Sequence, residues 1–112
     1  MSNISYLYDL TAKNFDQITV DNTGAGIPLT SAYLKPTDGE LYPKQCILAV
    51  LQVETAEIRY RIDGGVPTSL IGTKAKVGDI IEVFGYNNLK NFKAIRTGGS
   101  NGQLNVHYFY AI

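Results

Sequence analysis

The chain has 112 residues, 45% hydrophobic and 18% charged, a composition that fits one globular domain and excludes charge-rich disorder. Lys+Arg and Asp+Glu both number 10, so the formal net charge is zero. Nonspecific duplex binding, driven by neutralising phosphates, is not expected, whereas a neutral chain lacks the repulsion that keeps copies apart.

Taken in chain order, Tyr6–Thr11 and Phe15–Val20 read as two short strands, ended by the turn residues Asp21 to Gly26. Pro28 opens an extended piece over Leu29–Leu34, and Pro36-Thr37-Asp38-Gly39 is the next turn. Cys46–Val53 is the most continuously apolar segment and suits a strand covered on both faces. Strands are then expected at Glu57–Ile62, Thr68–Ile71, Asp79–Phe84, Phe92–Thr97 and Gln103–Tyr110, with at most one helical turn within Asn87–Lys93.

The alternation within these segments is specific. Ile58, Tyr60 and Ile62 share one face and Arg59 and Arg61 the other; Asp63-Gly64-Gly65 and Val77-Gly78-Asp79 break the pattern with turn chemistry. In the last strand Leu104, Val106, Tyr108 and Tyr110 share a face, opposite Asn105, His107 and Phe109. Asn101-Gly102 is the strongest hairpin signal and is expected to join the last two strands. The fold class is therefore all-β: an antiparallel β-sandwich, jelly-roll-like, or a flattened barrel of about eight to nine short strands. It forms a single domain, with residues 1–44 as N-terminal strands or an arm packing on a core built by residues 45–112.

Catalytic chemistry finds little to work with. His107 is the only histidine and lies within a regular strand, so no nucleophile–base–acid triad is expected. The acids Asp21, Asp38, Asp63 and Asp79 fall at turns, where a carboxylate bonds nearby backbone amides. Cys46 is the only cysteine, which rules out an internal disulfide and a cysteine-based metal site and leaves it as a buried small hydrophobe. Thr97 to Gly102 is glycine-rich but lacks the lysine and following helix of a phosphate loop. Arg59, Arg61, Lys74, Lys76, Lys90, Lys93 and Arg96 interleave with aromatics, but those aromatics follow the inward period and belong to the core. The expectation is a protein without enzymatic activity, cofactor, metal or nucleic-acid partner. No apolar stretch nears the ~20 residues of a bilayer span, and Met1 to Tyr6 has no signal-peptide pattern, so no membrane partner is expected and assembly in a cytoplasm is.

Eight tyrosines and no tryptophan, with Tyr6, Tyr8, Tyr108 and Tyr110 near the ends, place amphipathic rings where packed and wet regions meet. Candidate interface residues are Tyr6, Tyr8, Arg59, Arg61, His107 and Phe109. Tyr86-Asn87-Asn88 is the best candidate for the alternative reading, a carbohydrate- or receptor-binding module of a virion fibre or enzyme.

The motifs Glu57 to Thr68, Gly72, Val77-Gly78-Asp79, Phe92 to Thr97 and Leu104 to Tyr108 resemble, in order and spacing, a recurrent family of small proteins of tailed bacteriophages and prophages. The resemblance covers Ile47 to Tyr110, and this chain departs from it in carrying Gly64-Gly65-Val66 where one glycine and a small residue are usual. It implies a homo-oligomeric β-sandwich component of the virion that binds capsid, neck or tail subunits, in a decorating, head-completing or tail-associated role. It supplies no catalytic residues.

Overall fold

The computed structural model describes residues 10–35 and 45–111. Seven strands and two short helices occupy them: β1 (Leu10–Val20), α1 (Ser31–Leu34), β2 (Cys46–Glu54), β3 (Ile58–Arg61), β4 (Thr73–Ala75), β5 (Ile80–Phe84), α2 (Tyr86–Asn91), β6 (Lys93–Arg96) and β7 (Gly102–Ala111). The strands form a four-stranded sheet, β1-β7-β2-β5, and a three-stranded sheet, β4-β3-β6, with every pairing antiparallel. This is an all-β sandwich. The first part of the expected Tyr6–Thr11 strand and the Pro36–Gly39 turn lie outside the described residues.

One rhythm builds the core. Leu104, Val106, Tyr108 and Tyr110 of β7 all point inward, beside Ala49, Leu51 and Val53 of β2, as the two-residue alternation requires. They join one buried cluster with Ile58, Ala75 and Ala94 of the other sheet and with Leu89 and Phe92 at α2 and just after it. Each fully buried Val, Leu, Ile or Phe among them contributes about 1.5–3 kcal/mol of transfer free energy. Among the described residues no buried side-chain nitrogen or oxygen lacks a hydrogen-bond partner.

Four sequence expectations change on contact with tertiary structure. Phe15–Val20 is not a separate strand: β1 runs unbroken from Leu10 to Val20, and a bulge at Lys13 absorbs one residue between the Ala12–Phe109 and Asn14–Tyr108 pairs. Of the expected extended piece Leu29–Leu34, Thr30 is extended but Ser31–Leu34 coils into the single turn α1, which buries Leu34 and brings Tyr33 against Tyr108, ring centres 5.2 Å apart. Thr68–Ile71 is not a strand but a tight turn, in which Thr68 N–H donates to Ile71 O at 2.8 Å and Ile71 N–H to Thr68 O at 3.3 Å. β2 is buried on both sides only at its start; further along, its outer residues Gln52 and Glu54 are exposed.

The last two strands are not a hairpin either. β6 belongs to the three-stranded sheet and β7 to the four-stranded one, so the Asn101-Gly102 loop crosses between sheets. The opposite crossing, β2 to β3, turns at Thr55, a non-glycine residue at φ 76°, with Ala56 N–H donating to Glu54 O at 2.9 Å. A third crossing joins β4 to β5 where Asp79 Oδ2 accepts from Lys76 N–H at 2.8 Å and Gly78 adopts φ 93°. Turn signals in the chain therefore mark changes of sheet more often than hairpins.

Candidate docking site

Between β3 and β4 the chain makes an eleven-residue excursion, Ile62 to Gly72, that is ordered by its own hydrogen bonds. Arg59 stands on β3 between Ile58 and Tyr60, on the side away from the core. Its Nε donates to Ser69 O at 3.1 Å and its Nη1 to Gly72 O at 2.8 Å, so one guanidinium grips both ends of the turn. Thr68 Oγ1 accepts from Leu70 N–H at 3.2 Å and Ile71 N–H at 2.9 Å. Pro67 is fully buried and anchors the loop to the body. Gly72, at φ 128°, lets the returning chain pass close under Tyr60 O and Pro67, where a β-carbon would stand 3.1 Å and 3.2 Å from them.

Ahead of the turn, Arg61 and Asp63 form a two-point fork, Nε to Oδ1 at 2.9 Å and Nη2 to Oδ2 at 2.6 Å, while Asp63 Oδ1 also accepts from Gly65 N–H. The Arg61 hydrogen bonds hold the Asp63 carboxyl down at about 2.

This scaffold presents a crest of aliphatic side chains. Leu70 at its tip is 82% exposed and Ile71 58%, with Val66 and Ile62 also in water. Beside the crest lies an open cleft of about 500 Å³, lined by Val66, Pro67 and Ser69 of the loop together with Asn22, Ile95 and Arg96. Arg96 is steadied there by Asn101, whose Oδ1 accepts from Nη1 at 2.6 Å. A fixed ridge next to an open hollow of mixed polar and apolar lining can seat a protein surface by shape.

The structure separates the residues singled out from sequence. Arg59 and Arg61 lie on the three-stranded sheet, with their guanidinium groups engaged inside the chain as above. His107 and Phe109 lie on the outer side of the four-stranded sheet, His107 exposed and its ring 4.9 Å from that of Phe15. Tyr6 and Tyr8 lie outside the described residues. Tyr86 is half-buried against the core with Lys90 Nζ 5.8 Å from its ring centre, while Asn87 and Asn88 are exposed beside it on α2, Asn88 Nδ2 donating to Phe84 O at 3.0 Å. Among the described residues no three His, Cys, Asp or Glu side chains gather in a metal-binding group.

Sequence reasoning missed Leu70 and Ile71. The available signal was an apolar pair set directly between the turn-forming Pro67-Thr68-Ser69 and Gly72, where a solvated loop has no use for it. Comparison with protein-family models, with curated proteins and with solved structures finds no match to this chain.

Proposed function

We propose that this chain is a non-enzymatic docking subunit of a multi-protein assembly, attached to a neighbouring protein through the Leu70–Ile71 crest and the cleft beside it. The sequence resemblance to tailed-phage structural proteins supports reading that assembly as a virion, with capsid, neck or tail subunits as the neighbours. One observation carries the reading. Leu70 is 82% exposed at the tip of a turn that Arg59 and Thr68 hold in one conformation. An apolar tip set in water and joined along the loop by Ile71, Val66 and Ile62 makes a patch of the kind that marks interaction surfaces. Fixing them before contact lowers the ordering cost of binding.

The experiment replaces Leu70 and Ile71 together with Asp in cells that make the particles. Both residues are exposed, so the purified variant is expected to melt within a few degrees of the parent. It is also expected to be lost from purified particles. Retention at the parental copy number would rule out the crest as the point of attachment.

A further inference from the structure

The strands β1, β5, β4 and β6 form the edges of the two sheets, and three of these edges are blunted among the described residues. β1 carries the bulge at Lys13, with Lys13 exposed. β4 spans only three residues and exposes Thr73 and Lys74. β6 is covered by the chain itself: Ile27 N–H donates to Ala94 O at 2.8 Å, and Ala94 N–H to Ile27 O at 3.0 Å. β5 has none of these devices. It is a regular run, Ile80-Ile81-Glu82-Val83-Phe84, without lysine, proline or bulge, and its one charge is Glu82.

Register fixes where the β5 backbone groups point. β5 runs antiparallel to β2, with Phe84 opposite Leu48, Glu82 opposite Val50 and Ile80 opposite Gln52. At the two ends of this ladder Gly85 N–H donates to Ile47 O at 2.6 Å, and Val53 N–H to Asp79 O at 3.0 Å. Bonded and non-bonded pairs alternate, so Ile81 and Val83 direct their N–H and C=O at β2, while Ile80, Glu82 and Phe84 direct theirs away. Asn88 agrees with this sense, its Nδ2 donating to Phe84 O at 3.0 Å. The N–H and C=O groups of Ile80 and Glu82 have no partner among the described residues. Exposed side chains follow the same alternation. Ile80 is 58% and Phe84 40% exposed, and Glu82 stands exposed between them with no ion pair among the described residues.

We infer that the β5 edge takes an extended segment of a partner protein as a fifth strand of this sheet. The backbone groups of Ile80 and Glu82 hold the segment, and side chains at alternate positions select it. The segment carries apolar side chains beside Ile80 and Phe84 and a Lys or Arg opposite Glu82, the cross-strand pairs that stabilise an added strand. Charge favours a different chain over a second copy: matching two β5 strands end to end sets Glu82 against Glu82. This edge belongs to the four-stranded sheet and the crest to the β3–β4 loop of the other, so the inference stands apart from docking through Leu70 and Ile71.

The test is amide hydrogen exchange of the full chain, followed by NMR, with the blocked peptide Thr-Ile-Thr-Lys-Thr-Ile-Thr as probe. Its Ile and Lys side chains share one face of a strand. In the free chain the Ile80 and Glu82 amides are expected to exchange at least tenfold faster than those of Ile81 and Val83. Millimolar peptide is expected to slow them about tenfold. Two N-methylated versions, blocked at alternate sets of amides, should differ: only the version whose methyl groups face β5 loses binding. Glu82→Lys, at an exposed position, should weaken binding of this peptide and favour one with Glu in place of Lys. The Leu70/Ile71 crest variant should bind the peptide unchanged, so the two proposals fail independently. Ile80 and Glu82 amides already protected in the free chain overturn the inference, as does a peptide that leaves them unprotected or methylated versions that bind alike. Protection that rises with protein concentration alone assigns the edge to a second copy and overturns the partner named.

Discussion

The γ2 methyl of Ile58 lies 2.5 Å from where a β-carbon on Gly102 would stand, and Ala56 O only 2.9 Å from it. Gly102 opens β7 on one sheet and Ile58 opens β3 on the other, so this contact closes the seam where the chain changes sheets. Both neighbours are fixed, one a buried β-branched side chain and the other backbone. Gly102→Ala is therefore expected to cost about 1–3 kcal/mol by overpacking, measured by urea unfolding. A neutral result would mean that the seam is loose.

Arg59 is expected to matter locally rather than globally. Changing Arg59 and Arg61 together to Ser removes the two bonds to Ser69 O and Gly72 O and the fork to Asp63. All of these lie at or near the surface, where solvent screens such pairs, so the fold should persist with only a small loss of stability. Hydrogen exchange at the Leu70 and Ile71 amides should accelerate at least tenfold, and incorporation into particles should fall. Unchanged exchange would show that Thr68 and Pro67 hold the turn unaided.

Tyr110 ties three segments. Its hydroxyl donates to Tyr33 O and accepts from Asn14 Nδ2 at 2.9 Å, joining β7 to the chain at α1 and to β1. Tyr110→Phe leaves the Tyr33 carbonyl and the Asn14 amide without this partner and is expected to cost about 1–2 kcal/mol in denaturant titration. Full retention of stability would indicate that water replaces the hydroxyl without loss.

Alkaline pH should weaken the fold in two steps. Burial raises the Cys46 thiol from 9.0 to about 11 and the Tyr108 phenol from 10.0 to about 12. Each group is protonated more readily in the folded chain, so its contribution is complete below the unfolded value and is lost as pH climbs to the folded one. The melting temperature should begin to fall near pH 9, with on the order of 2 kcal/mol of folding free energy lost through Cys46 alone by pH 11. Cys46→Ala should delay the onset to about pH 10, where Tyr108 takes over; an unchanged onset would remove Cys46 from the explanation.

Sequence rhythm exposed the sheets because alternation is a local signal: Leu104, Val106, Tyr108 and Tyr110 follow it and all are buried. Connectivity is not local. Asn101-Gly102 carries the composition of a two-residue turn, yet glycine is required there because Ile58, 44 positions earlier in the chain, leaves no room for a β-carbon. Arg59 was visible as an outward residue, but its hold on Ser69 and Gly72 depends on how the loop folds back, which no spacing reveals. Leu70 and Ile71 escaped notice because an apolar pair in a short segment has the same appearance whether a strand buries it or a turn displays it.

The most direct measurement is the absolute amount of this chain in purified particles from cells that encode it, quantified by mass spectrometry against isotope-labelled peptides. A docking subunit should appear in a fixed small-integer ratio to the main shell or tail protein through repeated density-gradient steps. A chain that remains in the supernatant, or whose ratio drifts from step to step, would contradict the proposed role as a structural component.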